Sequence, residues 1–566
     1  MRRSLVVGFA VLAVCVLPSV ILAAWIPDGS PVSTAANAQS SPAITPDGFG
    51  GVIIAWEDYR SGTDRDIYAQ RMDAGGTALW ATNGVAISTD LLDQLAPAII
   101  GDGAGGAIIT WHDQSDSTFD IYAQKIDVFG VVQWSTNGIP VSAAVDNQLS
   151  PVIVTDGFGG AIIVWEDYRA GTNANVYGQR VDASGAVLWT PDGAPISIAS
   201  DDQLAPQIAP TDQSGVIVTW QDYQGGMDAD IYAQKLDALG NALWTSSGVP
   251  ITLATDDQLS PAITSDGQNG AIITWYDYQS GTSLDIYSQR VDALGNVQWV
   301  SNGISLSSTT NIQLSPRIVS DNQGGAIVTW YEYLTGADYD IYTQRVDSLG
   351  NLLWTSSAVA MTTAIDLQFS PEVVTDDNEG AIVTWVDYRS GFNFDIYAQR
   401  VDDAGTVLWA ADGDLVSAAV EDQTRSAIAP DGHGSAIVTW KDDRSGLSAD
   451  VYAQRAGASV VGANNVSAAG SLRLSNRPNP FLGTTEVAFH LSEPSRVEFE
   501  IVVLAGKLIY KRVWPKLPGG PQAISFRGRD REGRELATGI YLYRISATGL
   551  TTGARVSEVR KMVRLR

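Results

Sequence analysis

The chain is predicted to be all-β: an eight-bladed β-propeller of four-stranded blades followed by a small β-sandwich. Three observations carry this expectation. The motif Trp-x-[Asp/Glu] recurs at Trp56, Trp111, Trp165, Trp220, Trp275, Trp330, Trp385 and Trp440, in steps of 55 residues with one of 54, so the chain is an array of one supersecondary unit. Each unit holds four short β-branched and aromatic runs bounded by Asp/Gly turns, the pattern of an antiparallel meander. A lone piece of the unit, Trp25-Ile-Pro-Asp-Gly29, stands ahead of the first complete copy.

The fifth copy shows the elements in order. Gln258-Leu-Ser-Pro261 opens a run to Thr264, and Asp266 to Gly270 supplies a turn. Ala271 to Trp275 is the second run, and a polar loop leads to the third, Asp285 to Asp292. Asp292-Ala-Leu-Gly295 is a hairpin turn, after which a fourth run crosses Trp299 before Gly303. A meander of this size cannot cover both of its faces, so units must stack on one another. Stacking gives either a propeller or an open solenoid, and the array's ends decide between them.

The fourth-strand signature, Trp with Gly four residues on, occurs at Trp80, Trp134, Trp189, Trp244, Trp299 and Trp409, and at Trp354 with Ala358 in place of the Gly. The eighth unit lacks one after Gln454, and Trp25 to Gly29 supplies it from the other end of the chain. A ring over residues 25–456, closed by its N-terminal strand, follows.

Met1-Arg2-Arg3 and an apolar stretch to Ala24 read as a secretory signal peptide over 1–24, with no integral membrane span after cleavage. The one cysteine, Cys15, lies inside it, which removes disulfides, thiolate metal sites and cysteine nucleophiles from the mature chain. Residues 457–471 are small and polar, as a flexible linker is. The formal net charge of −28 is unevenly spread, since residues 471–566 hold 17 Lys/Arg against 8 Asp/Glu. An acidic ring of this kind excludes nucleic acid as its partner, because phosphate contacts need Lys and Arg.

In the tail, Glu486 to Leu491, Val497 to Val503, Lys507 to Val513 and Gly539 to Ile545 are β-rich and separated by Pro and Gly turns, which suits an immunoglobulin-like sandwich over 472–566. Arg477-Pro-Asn479-Pro480-Phe481, Leu504-Ala-Gly-Lys507, Gly528-Arg-Asp530, Ala537-Thr-Gly539-Ile-Tyr541 and Lys561-Met-Val563 resemble the C-terminal sorting domain of type IX secretion cargo. The pattern is similar also to the flagellar hook-capping type of immunoglobulin-like domain, and the N-terminal region resembles a secreted bacterial eight-bladed propeller. The sorting resemblance implies export to the periplasm, then delivery by an outer-membrane secretion machinery to the surface or medium of a Gram-negative-type bacterium. In that reading Asn479, Pro480, Phe481, Gly539, Tyr541 and Lys561 form the sorting motif.

Within the repeat, the acid two residues after each Trp (Asp58, Asp113, Asp167, Asp222, Asp277, Glu332, Asp387, Asp442) precedes a second before [Ile/Val]-Tyr (Asp66, Asp120, Asn175, Asp230, Asp285, Asp340, Asp395, Asp450). Both flank the loop between strands two and three. They are candidate Ca²⁺ ligands, but recurrence in every blade favours turn capping, and no cofactor or metal is expected. The Gln-[Arg/Lys] pairs, such as Gln70-Arg71 and Gln399-Arg400, suit a hydrogen-bond network between blades, and the Trp residues suit packing. His112, His433 and His490 are too scattered for a metal triad or a Ser/His pair.

The repeat breaks in two places: the shortened loop His112 to Asp120, and the eighth blade with Arg425, Lys441, Asp443 and Arg444. The expectation is an exported or cell-surface, non-enzymatic binding or adhesion protein. Its carbohydrate or protein ligand would meet the ring at Asp58, Tyr59, Arg60, Asp167, Tyr168, Arg169, Asp387, Tyr388 and Arg389. The alternatives are a secreted polysaccharide-active enzyme, a glycosidase or lyase using the ring's carboxylates, and a structural surface-layer component.

Overall fold

The computed structural model describes residues 25–457, apart from 115, 116, 172, 225, 227, 279–282 and 335–337, together with 472 and 475–565 apart from 478–480, 492, 504–507, 532 and 552–554. The expected signal peptide, almost all of the linker, Asn479, Pro480, the Leu504 to Lys507 motif and the Lys561 side chain lie outside the described residues. The chain divides near residue 460 into two compact units.

The first unit is eight four-stranded antiparallel sheets, an eight-bladed propeller. The first blade runs Gln39–Pro46, Val52–Asp58, Asp66–Met72 and Val85–Ser88, paired in that order. The eighth is Gln423–Pro430, Ala436–Asp442 and Asp450–Ala456, completed by Ser30–Ser33 from the start of the chain. Ser30 faces Ala453 and Pro31 faces Tyr452 across that join.

Each second strand is an apolar run because both of its faces are covered. Val52, Ile54 and Trp56 pack with Ala429, Ile437 and Val451 of the eighth blade. The intervening Ile53 and Ala55 pack with Ala107, Ile109 and Trp111 of the second. Alternate side chains thus serve opposite neighbours, and the same contacts close the ring between its last and first blades.

Two tryptophans per blade divide the work. Trp56 is fully buried and its ring edge meets Gly84, where a Cβ would lie 2.4 Å away and φ is +83°. Trp80 stands outside the sheet, and its indole N–H donates to the Val128 carbonyl of the next blade at 3.1 Å. Trp25 does the same to Ala74 at 3.0 Å. The fourth run was expected to cross the Trp, and this is corrected: paired strand begins only after the glycine, at Val85–Ser88 in the first blade. The ring must leave the sheet to reach the neighbouring turn, so its own residue cannot stay in the ladder.

The first strand of every blade carries a β-bulge. In the first blade the register shifts between Ser40 and Ala43, leaving Ser41 at φ +51° ahead of a proline that has no N–H to offer the ladder. Ala96, Ser150, Ala205, Ser260, Ser315 and Ser370 repeat this left-handed geometry, and in the eighth blade Arg425 occupies it at φ +53°.

The second unit is a sandwich of a four-stranded sheet (Leu508–Leu517, Ser495–Val503, Gly539–Gly549, Arg555–Arg564) and a three-stranded one (Ser475–Arg477, Thr485–Leu491, Gly520–Phe526). Phe481, Phe489, Phe499, Ile501, Tyr543 and Met562 lie in its core. Strands at Ser475–Arg477, Gly520–Phe526 and Arg555–Arg564 were not expected from the sequence. No helix among the described residues is long and apolar enough to cross a membrane.

Candidate functional site

In an antiparallel meander the loop between strands two and three and the crossing to the next blade fall at the same end, so one face of the ring gathers both. There Asp58 is fully buried and accepts hydrogen bonds from the Trp56 indole at 2.7 Å, the Arg60 backbone N–H at 2.9 Å and the Arg60 guanidinium at 2.8 and 2.6 Å. The guanidinium lies 3.6 Å over the Tyr68 ring and donates to the Asn83 carbonyl at 2.7 Å.

Asp167 with Arg169, and Asp387 with Arg389, repeat the arrangement, their guanidinium groups 4.0 and 3.8 Å over Tyr177 and Tyr397. Tyr59, Tyr168 and Tyr388 are half-buried, and their N–H groups bind carbonyls of the crossing loops at 2.8 to 2.9 Å. What these nine residues offer a ligand is therefore tyrosine and the outer part of the arginine. In the eighth blade Arg444 grips Asp442 and reaches the Asp28 carbonyl, in the turn before the closing strand, at 2.5 Å.

The second acid stands directly opposite the first, Asp58 facing Asp66 and Glu332 facing Asp340. Burial, followed by the charge of neighbouring acids, raises Asp66, Asp230 and Asp450 to about 6 and Asp340 to about 7. Asp113 is also raised to about 6 by burial; Ser115 stands where four other blades have arginine. Among the described residues no group of three or more His, Cys, Asp or Glu side chains is disposed to hold a metal ion.

The Gln-Arg pairs were expected to link blades, and here too there is a correction. Gln70 is buried and ties the third strand to the segment before the fourth in its own blade, donating to the Ala81 carbonyl at 2.8 Å and accepting from the Trp80 N–H at 2.9 Å. Only the cation crosses: Arg71 pairs with Asp47 at 2.8 Å and donates to the Val128 carbonyl of the next blade at 3.2 Å.

The position after each repeat tryptophan varies widely: Glu57, His112, Glu166, Gln221, Tyr276, Tyr331, Val386 and Lys441. In three blades it reaches the bulge of the following blade. Glu57 accepts from the Ala96 N–H at 3.0 Å, Glu166 from Ala205 at 2.8 Å and Gln221 from Ser260 at 2.6 Å. Lysine has no acceptor, and Lys441 turns instead to Asp443 at 2.6 Å.

Where the eighth blade meets the first, these departures coincide in a cavity of about 360 Å³ lined by Ser40, Glu57, Tyr59, Arg65, Thr424, Arg425 and Lys441. Ser40 and Thr424 take positions held elsewhere by Leu95, Leu149, Leu204, Leu259, Leu314 and Phe369. Glu57 accepts from the Ser40 hydroxyl at 3.1 Å, and Arg425 donates to the Ser41 hydroxyl at 2.7 Å. Arg425 also lines a second cavity of about 530 Å³ bounded by first strands, with Ala43, Ile99, Val152, Ile208 and Glu372. Sequence comparison of the blades singled out Arg425 and Lys441 but not Ser40, Glu57 or Arg65, which come from the opposite end of the ring sequence.

In the sandwich, Phe481 is buried and tied to the last strand, its N–H donating to the Val563 carbonyl at 2.9 Å and its carbonyl accepting from Leu565 at 2.8 Å. The Tyr541 hydroxyl donates to the Ala537 carbonyl at 2.8 Å, and Gly539 opens the strand that contains it.

No family model matches the chain, and no curated protein matches it. Several solved structures are similar. A protein of unknown function from Dyadobacter fermentans is 9% identical, covering 76% of this chain and 99% of its own, with a TM-score of 0.35. An ulvan lyase of a new polysaccharide lyase family is 10% identical over 62% of this chain and 90% of its own, with a TM-score of 0.40. FlgD from Xanthomonas campestris is 19% identical over 16% of this chain and 65% of its own, with a TM-score of 0.14. None of these three reaches a TM-score of 0.5, and what the ring binds is a question for its own residues.

Proposed function

We propose that the protein is an exported binding protein whose propeller recognises a carbohydrate at the seam of the eighth and first blades. The observation behind this is that the repeat gives up its apolar and small residues at one seam, and a cavity lies there. A volume of about 360 Å³ is within the roughly 300–1,000 Å³ of small-ligand pockets. Hydroxyls, a carboxylate, cations and a tyrosine together suit a polyhydroxylated ligand, whose OH groups need donors and acceptors and whose ring face suits an aromatic side chain.

Binding is favoured over hydrolysis because a glycosidase needs two carboxyl groups about 5–9.5 Å apart, and Glu57 is the one carboxylate among the residues lining this cavity. A glycan screen on the full chain tests the reading. Retention of a saccharide that Glu57→Gln weakens supports it, whereas release of reducing ends or unsaturated products would promote the enzyme alternative.

For the sandwich we propose a sorting role, resting on the motifs that resemble type IX cargo. Truncation after Gly470 is then expected to leave the ring in the periplasm while the full chain reaches the surface or medium. Equal delivery of both, measured by fractionation and blotting, would overturn that role.

A further inference from the structure

We infer that the seam site takes an anionic saccharide unit, one bearing a carboxylate or a sulfate ester; this rests on the reading of the seam as a carbohydrate site. Residues 1–470 hold 18 Lys/Arg against 55 Asp/Glu. Yet Arg65, Arg425 and Lys441 line one cavity with Glu57 as its single acid. Two of the cations are already engaged, Arg65 near Glu57 and Asp93 at 3.9 and 3.5 Å and Lys441 with Asp443 at 2.6 Å.

Arg425 differs. It is exposed, it donates to the Ser41 hydroxyl at 2.7 Å, and among the described residues no carboxylate pairs with it. A guanidinium presents five N–H donors in a planar fork that fits carboxylate and sulfate-type oxygens, so most of its donors remain for a ligand.

The scaffold does not need these cations. The bulge is built with Ser or Ala in the seven other blades at the same left-handed φ that Arg425 adopts, +53°, so the fold asks for no more than a small residue there. Lys441 likewise stands where three other blades have an acceptor bonded to the next bulge. The ring's overall negative charge does not forbid an anion, because at physiological salt charges beyond about 8 Å are largely screened. Ser40, Thr424 and Glu57 remain to bind sugar hydroxyls, and Tyr59 to meet a ring face.

The test is calorimetry on the full mature chain in EDTA with three oligosaccharides of equal length: an oligogalacturonate, a sulfated galactan fragment and a neutral β-glucan. Arg425→Ser and Lys441→Gln install the residues that other blades carry at those positions, so unchanged melting confirms that both variants fold. At least one anionic oligomer is expected to bind, more tightly than the glucan, and each variant is expected to weaken it by about tenfold or more. Which of the two binds identifies the anionic group. Tighter binding of the neutral glucan, or anionic binding indifferent to both variants, would overturn the inference while leaving a saccharide-binding ring. Binding of none of the three would overturn the carbohydrate reading as well.

Discussion

At the scale of single residues, buried carboxylates account for most of the recurring acids. Asp58 meets four hydrogen-bond donations from Trp56 and Arg60. Asp58→Asn would turn an N–H₂ toward one of those donors and is expected to cost ~1–3 kcal/mol, as leaving a buried polar group unsatisfied does. Urea unfolding of the variant checks this. The second acids make an opposite statement. Unfolded aspartate titrates near 3.8, whereas Asp66, Asp230 and Asp450 do so at about 6 and Asp340 at about 7. The folded ring therefore holds more protons than the unfolded chain between about pH 4 and 7, and its stability falls as pH rises through that window. His112, lowered to about 4 by burial, acts the other way below its ordinary 6.5, one group against several. Melting temperature is expected to rise from pH 8 to pH 5.5, and Asp340→Asn, the residue the third blade carries as Asn175, is expected to raise melting at pH 8 and flatten the slope. A ring that melts lower at pH 5.5 than at pH 8 would contradict this. The acids themselves were legible in the sequence. Their burial was not, because it depends on which strand lies opposite and on what covers the loop.

At the scale of elements, stability rests on how each blade's second tryptophan reaches its neighbour. Trp189 is buried, donates to the Ala238 carbonyl at 3.0 Å and lies against Gly240, where a Cβ would come within 2.7 Å of the ring at φ +81°. Trp189→Ala is expected to cost ~3–5 kcal/mol by opening a cavity between blades, and Gly240→Ala to destabilise through clash and backbone strain together. Thermal unfolding of both variants checks the pair. The four-run pattern of the repeat was legible in its turns and β-branched residues. The position of the fourth strand was not, since period and composition do not record that Trp80 leaves the ladder to bind another blade. The sandwich was half legible: its central strands have clear apolar runs, while Ser475–Arg477 and Gly520–Phe526 are short or polar and become strands only by pairing with Thr485–Leu491.

At the scale of the whole molecule, closure depends on Ser30–Ser33. Removing residues 25–33 strips the partner from Asp450–Ala456, leaves Gly76 without the Trp25 ring against it, and takes away the Asp28 carbonyl to which Arg444 donates. The shortened ring is expected to melt lower and to associate through its open strand edge, which scattering during heating will detect; equal melting of both forms would argue against N-terminal closure. The sequence by itself determined the number of blades, their four strands and the need for a closing fragment, because stacking units that each bury both faces must repeat the same apolar and turn residues at a fixed period. Only the tertiary structure decided where the site lies. Ser40 and Glu57 are separated from Arg425 and Lys441 by almost the whole length of the ring's sequence, and ring closure alone brings them to one cavity. Each departure taken singly is a minor variation within a blade, and distance along the chain carries no signal of contact across the seam.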